Sequence, residues 1–405
     1  MLSVGIDTHE RMHYVEIQDE KENRLWRGKI RNINEDFESL IVKISKIEKS
    51  NNDKVEFIFM NPTGNYHIPL KYFLENNSFT VYMVDARKTL HLRKMMNLNT
   101  IKSDSEDAHV LAATPWHDPR YREYTGHNRS SLSSISRERS IVVKSITAIK
   151  NYIHSDLAAV FPEFTDLYSI DSSTGLAILY EYATPYNIVN AGIDNVIKLI
   201  KKASKGHYRI EDINKLMETA ENSIGIPDGD DTYGYKIRMN ISRLRDEMNN
   251  LKNIEKEIIS RSSNNGDVNN LTNLRGLGII NSAIIVSEIG NIEQFESALK
   301  LQSYAGKCPD IEGSGGKTHS KGITHVRNKF LSNAVYESAI SLVMNKNKEF
   351  YDIFNREIGK KKSNVQAYIA VAKRLLFHIY SIMKNHKPYK EKMVGNYKKQ
   401  GNTKY

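Results

Sequence analysis

The sequence predicts an α/β N-terminal domain followed by a long helical middle and a mainly helical C-terminal domain, on three observations. Short apolar strand-type runs alternate with one-sided helical patterns across residues 1–128. Two long apolar stripes at spacings of three, four or seven occupy residues 129–262. Residues 263–405 read as helices broken by one Gly/Ser-rich stretch, and they hold the excess positive charge.

Residues 2–6 form an apolar run that ends in Asp7. Residues 12–17 and 24–30 read as two more strands, which makes an antiparallel meander. Phe37, Leu40, Ile41, Ile44 and Ile47 then mark a helix. Residues 55–60 are a buried-type strand, 66–74 a helix and 79–84 a strand. Three strands, helix, strand, helix, strand is the order of ribonuclease-H-like folds. A later helix is expected over residues 104–113, closed by Thr114-Pro115.

In the middle region Leu132, Ile135, Val142, Ile146, Ile149, Ile153, Leu157 and Val160 line one stripe, and Ile237, Ile241, Leu244, Met248, Leu251 and Ile258 line another. Stripes this narrow suit a coiled-coil pair or a dimer seam, and an ordinary bundle within one chain fits them equally. The insertion at 161–229 carries no motif. Residues 308–322 read as an irregular Gly/Ser-rich stretch between helices, and residues 384–405, with seven lysines and one acid, as a phosphate-seeking tail.

With 405 residues, 40% hydrophobic and 26% charged, the chain is long enough to fold around cores without disulfide or structural metal. The single cysteine, Cys308, makes no internal disulfide and excludes a thiolate zinc site. No run approaches the ~18 apolar residues of a membrane span, and the first residues lack a basic signal-peptide region, so a cytoplasmic, membrane-free protein is expected. The net charge is +10. Residues 1–128 carry 18 Lys/Arg against 19 Asp/Glu, residues 129–262 carry 18 against 18, and residues 263–405 carry 22 against 11. That asymmetry points to nucleic acid gripped by the C-terminal third.

Candidate chemistry begins with Asp7 at a strand end, where turn capping is the alternative role. Asp104 and Asp107 lie three apart at the start of a helix, so both carboxylates can approach one point. The alternative is helix capping by Asp104 with acids favoured in the first turn. Several carboxylates suit a hard cation such as Mg2+ in phosphoryl transfer. A fourth ligand is expected after the central strand, where the sequence reads Met60-Asn61-Pro62-Thr63-Gly64-Asn65-Tyr66. His67, His91 and His109 lack ligand spacing and read as structural or solvent-facing. Arg87, Lys88, Arg93 and Lys94 form a local basic helix that could touch backbone phosphate, but a solvated face is the preferred reading.

In the C-terminal third, residues 271–283 resemble a helix-hairpin-helix element around Arg275-Gly276-Leu277-Gly278, whose turn amides can meet a phosphate; a plain helix–helix turn is the alternative. Further on, Gly313-Ser314-Gly315-Gly316 is followed by Lys317, His319, Lys321, His325 and Arg327. A serine between glycines is open to approach, and the cations suit a pentacovalent phosphate; a flexible loop reads the same way.

These elements, in this order, resemble the DEDD-type insertion-sequence transposases, the family that includes the Piv-type DNA invertases. The resemblance runs through Gly5-Ile6-Asp7, Pro62-Thr63-Gly64-Asn65-Tyr66 and Lys102-Ser103-Asp104-Ser105-Glu106-Asp107-Ala108, then Leu274-Arg275-Gly276-Leu277-Gly278, Tyr304-Ala305-Gly306-Lys307-Cys308-Pro309 and the Ser314 loop. It implies a RuvC-like N-terminal domain whose four acids bind Mg2+ (or Mn2+), and a C-terminal serine that becomes covalently joined to DNA. Carried over, Asp7, Asn61, Asp104 and Asp107 are the metal positions and Ser314 the nucleophile. Arg275, Gly276, Gly278, Lys317, Lys321 and Arg327 are candidate nucleic-acid contacts. The family further implies a noncoding bridge RNA as guide and a homo-oligomer, dimer or tetramer, with composite active sites.

Two departures stand out. The second family acid is Asn61 here, which adds no negative charge, so metal affinity should fall. Glu56 lies five residues earlier and faces the opposite side of the strand. Thr8-His9-Glu10 occupies the place of the usual lysine after the first acid. The competing functions are a catalytically silent nucleic-acid-binding copy and a RuvC-like junction nuclease in which water attacks. A sugar-kinase-like ATPase is disfavoured by the lack of a phosphate-cradling glycine loop.

Overall fold

The computed structural model describes residues 1–84, 86–96, 103–118, 131–228, 231–314, 317–323 and 327–389, leaving aside the side chains of 86–87 and 309–323. It divides into two compact units, residues 1–128 and 129–405.

The first unit contains β1 (Leu2–Asp7), β2 (Met12–Asp19), β3 (Arg24–Arg31), α1 (Asn34–Asn51), β4 (Val55–Met60), α2 (His67–Asn76), β5 (Val81–Met83), α3 (Ala86–Met95) and α4 (Asp104–His117). The sheet order is β3-β2-β1-β4-β5. β1 and β2, like β2 and β3, run antiparallel, whereas β4 is parallel to both β1 and β5. This is the ribonuclease-H-like arrangement, with β1 central and buried throughout.

Alternation along β1 divides its roles. Leu2, Val4 and Ile6 join Val15, Ile17, Phe37, Leu40, Ile44, Leu70 and Leu74 in one core, formed with α1 and α2. Ser3, Gly5 and Asp7 take the opposite face, where α4 packs. Gly5 is required there: a Cβ on it would lie 2.1 Å from the Ala108 carbonyl oxygen and 2.2 Å from the Ala112 nitrogen. Glycine on the strand and alanines on the helix let the two backbones touch.

Helix α4 runs past its expected end. Pro115 lies inside it, and the helix closes only where the Asp118 N–H reaches the Thr114 carbonyl, 3.0 Å away. Pro115 has no N–H to give to the Leu111 carbonyl four residues back, so one helical hydrogen bond is missing in the last turn, and the helix ends two residues later. At the other end Ser103 is the cap, its hydroxyl accepting from the Glu106 N–H at 3.3 Å. The capping role considered for Asp104 is therefore already filled.

The second unit opens with α5 (Ser131–Val160), α6 (Phe164–Leu167), α7 (Ser173–Glu181), α8 (Pro185–Ala191), α9 (Ile193–Ala203), α10 (Ile210–Glu221) and α11 (Thr232–Ser262). The α5 and α11 stripes meet within this chain, and the helices of the 161–229 insertion cover them to form one core, from Val142 and Ile153 to Ile237 and Leu244. A second core unites α12 (Gly266–Thr272), α13 (Ile279–Ile289), α14 (Ala298–Tyr304), α15 (Lys329–Met344), α16 (Lys348–Gly359) and α17 (Asn364–Asn385).

The stretch read as irregular is a β-hairpin, β6 (Pro309–Ser314) and β7 (Lys317–Ile323), with Ser314 opposite Lys317. The missed signal is the Gly315-Gly316 pair between the strands, a dipeptide suited to a two-residue hairpin connection. Residues 390–405 of the lysine-rich tail, residues 315–316 and His325 lie outside the described residues. No helix among the described residues is long and apolar enough to cross a membrane.

Gly5→Val should be disruptive although the site is a strand and valine a strand former. Overpacking two touching backbones costs about 1–3 kcal/mol or more. Calorimetry should show the variant melting several degrees below the parent.

Candidate metal centre

Parallel pairing places the C-terminal ends of β1 and β4 side by side, so Asp7 and Asn61 emerge together; the Asn61 N–H reaches the Ile6 carbonyl at 3.4 Å. The seating of α4 on Gly5 brings its first residue, Asp104, to the same end. Asp7, His9 and Asp104 form a group whose candidate ligand atoms all lie within 4.8 Å of one another. His9 Nε2 is 3.0 Å from Asp7 Oδ2 and 3.4 Å from Asp104 Oδ1.

Asp7 is 3% exposed. Burial pushes its carboxyl up, hydrogen bonds from His9 and Asn61 pull it down, the neighbouring Asp104 charge adds to the rise, and the net direction is upward. A buried acid shifted this way sits where added positive charge is favourable. Two carboxylates and an imidazole are a suitable donor set for a divalent cation, so the residues present fit the metal that a ribonuclease-H-like site implies.

The other two expected positions are engaged otherwise. The Asn61 side-chain amide donates to Asp7 Oδ1, while its carbonyl oxygen accepts from the Thr8 N–H at 2.8 Å and lies 3.2 Å from Thr8 Oγ1. Asp107 is ion-paired with Arg93. Arg93 is 7% exposed, so this part of the basic run is interior and not a solvated face. Sequence reasoning passed over His9; its signal is the Asp-x-His spacing, since residues two apart in extended chain share a side.

Beside this group lies a buried polar network that fixes α4 to the meander. Glu16 on β2, opposite Gly5, is fully buried. Its Oε1 accepts from Gln18 at 2.7 Å and is 2.7 Å from His109 Nδ1 of α4, while Arg27 of β3 donates to Oε2. Arg27 also lies 3.5 Å from Glu106. Burial pushes the Glu16 carboxyl up, but the hydrogen bonds from His109, Gln18 and Arg27 outweigh it and hold it at about 2. His109 is thus structural.

In the second unit, Gly276 has a φ of +103°, and a Cβ there would lie 3.1 Å from Leu342 Cα. Ser341 donates to its carbonyl at 2.6 Å, and Asn347 donates to that of Arg275 at 3.3 Å. Gly276 therefore shapes a turn packed on α15, whereas Gly278 and the Arg275 side chain are exposed. Arg327 is exposed, and the side chains of Ser314, Lys317 and Lys321 lie outside the described residues. Just before the hairpin, Lys307 is buried; desolvation first, and then the Arg327 charge, lowers its ammonium to about 8.

Residues 4–162 match the DEDD-type IS110 family described as "Transposase", and residues 268–355 match the "Transposase IS116/IS110/IS902 family". A protein of insertion element IS110 from Streptomyces coelicolor is 23% identical over 313 residues, covering 75% of this chain and 76% of that protein. The pilin gene-inverting protein of Moraxella bovis is 27% identical over 124 residues, 30% of this chain and 38% of the relative. RuvC of T. thermophilus, solved with a Holliday junction substrate, aligns at 12% identity and a TM-score of 0.23 over 30% of this chain and 95% of its own.

The Glu16 network has a pH signature. A carboxyl held below its ordinary value of 4.5 stabilises the fold fully above that value, and the contribution is lost as pH falls toward about 2. Glu16→Gln should therefore lower stability on the order of 3 kcal/mol near neutrality. In melting curves the gap from the parent should narrow as pH is lowered from about 6 to about 3.

Proposed function

The chain belongs to the IS110-type DEDD transposases and is a DNA transposase/recombinase, and from that premise we propose a metal-assisted, serine-mediated cut-and-rejoin reaction. Asp7 and Asp104 anchor Mg2+ or Mn2+, with Asp107 and Asn61 at the remaining family positions. When bound, the ion supplies positive charge that polarises a scissile phosphate. Ser314 Oγ attacks phosphorus and loses its proton; the P–O3′ bond breaks, and the 3′ oxygen takes up a proton to leave as a free hydroxyl. The resulting 5′-phosphoserine conserves the bond energy, and attack by the partner strand's 3′-hydroxyl reverses the step, so no nucleotide triphosphate is consumed.

The convergence of Asp7 and Asp104 at one end of a ribonuclease-H-like sheet carries this reading. DNA is the substrate, held chiefly by residues 263–405 with their 22 cationic against 11 acidic side chains, Arg275, Lys317, Lys321 and Arg327 among them. The turn amides around Gly276 and Gly278 belong to the same proposed surface. The family resemblance extends the reading to a noncoding guide RNA, to a homo-oligomer that brings metal and serine domains together, and to a cytoplasmic setting.

With a cleavage substrate and Mn2+, the parent protein should form a covalent protein–DNA adduct that survives denaturation, and Ser314→Ala should form none. Adduct formation by the alanine variant would remove Ser314 from the mechanism. Cleavage without any adduct would instead favour water as the nucleophile, as in a junction nuclease.

A second reading, a catalytically silent DNA-binding copy, is favoured by one observation: Asn61 is tied to Thr8 and Asp7 and contributes no charge. Strand exchange by the parent and by Asn61→Glu distinguishes the two. Comparable activity in both supports an active enzyme, whereas activity confined to the glutamate variant supports decay.

A further inference from the structure

We propose that His9 is a direct ligand of the divalent ion held by Asp7 and Asp104, replacing by an imidazole nitrogen the carboxylate that position 61 lacks. The assignment rests on the metal-dependent reading above and adds to it a ligand type and an ion preference.

Three observations carry it. First, His9 is the third member of the converging group, with Nε2 at 3.0 Å from Asp7 and 3.4 Å from Asp104. Second, the alternatives are committed elsewhere. Turning the Asn61 amide to offer its oxygen would take an acceptor from the Thr8 N–H and set the amide nitrogen against that donor. Asp107 is an ion-pair partner of the buried Arg93, and moving it to a metal would break that pairing. Third, the imidazole is held in place yet reachable. Its ring meets Tyr14 edge to face at 5.9 Å, and the His9 N–H lies 3.3 Å from His13 Nδ1. The His9 side chain is 40% exposed, which leaves it open to an arriving hydrated ion.

Two carboxylates with one imidazole make a mixed oxygen and nitrogen site. Mg2+ keeps to oxygen and dehydrates reluctantly, whereas Mn2+ is more tolerant of imidazole, so His9 should tilt selectivity toward Mn2+. The opposing role for the same geometry is an imidazolium that occupies the space between two acids as a counter-ion. The two roles predict opposite effects of removing the ring.

The test is Mn2+ binding to the full-length protein, followed by electron paramagnetic resonance with echo-envelope detection of nitrogen-14. The parent should bind Mn2+ and display an imidazole nitrogen coupling. His9→Ala should lose that coupling and bind at least about tenfold more weakly, and the ratio of Mn2+ to Mg2+ affinity should fall. His9→Asp should recover binding without the nitrogen signal, separating loss of a ligand from loss of the fold. Binding by the parent with no nitrogen coupling, or tighter binding by His9→Ala, would overturn the assignment in favour of the counter-ion. Failure of the parent to bind Mn2+ at all would sink the metal-dependent reading itself, and this assignment with it.

Discussion

The backbone contact between α4 and β1 sets the arrangement at the end of the sheet where Asp7 and Asp104 meet. Most helices rest on a sheet through a layer of side chains, which holds the two backbones apart. Here Gly5 removes that layer on one side, and Ala108 and Ala112 nearly remove it on the other. The helix axis drops toward the strand, and its first turn reaches the strand end. Asp7 and Asp104, almost a hundred residues apart in sequence, become neighbours because a side chain is missing two residues before Asp7.

Close approach of backbones is tolerant of sliding, since small smooth surfaces provide few interlocking features. The register is instead specified by polar groups. Glu16 accepts from groups on β2, β3 and α4 together, and a buried carboxylate with that many donors penalises displacement of any one of them. Arg93 from α3 clasps Asp107 on the first turn of the same helix. The site thus has an interior charge balance in which Glu16 and Asp107 are paired with fixed cations, while Asp7 and Asp104 converge on His9.

The second unit follows different physics. Its two cores are assembled from amphipathic helices, and long α5 and α11 contribute to both, since the far ends of their stripes carry Leu132 and Ile258 into the second core. The hairpin that bears Ser314 follows buried Lys307 in sequence, where a desolvated ammonium feels the charge of Arg327. Positive charge is concentrated around the element proposed to meet phosphate.

Much was legible in the sequence because it is encoded locally. The strand and helix order of residues 1–84 follows from hydrophobic period, which repeats within each element, and the position of Asp7 at a strand end follows with it. The charge asymmetry of residues 263–405 is simple counting. What local pattern could not express is the pairing of distant groups. Asp107 read as a metal position and Arg93 as part of a solvated basic face, yet the two are ion-paired with each other. Asn61 read as a weak ligand, and only the tertiary structure shows its oxygen turned to Thr8. His9 looked incidental until the helix brought Asp104 across to it. The sequence by itself determined which elements form and which carboxylates are available; the tertiary structure decided which of them meet, because that choice depends on how near two backbones come, and the absence of a Cβ at Gly5 has no meaning until α4 lies against it.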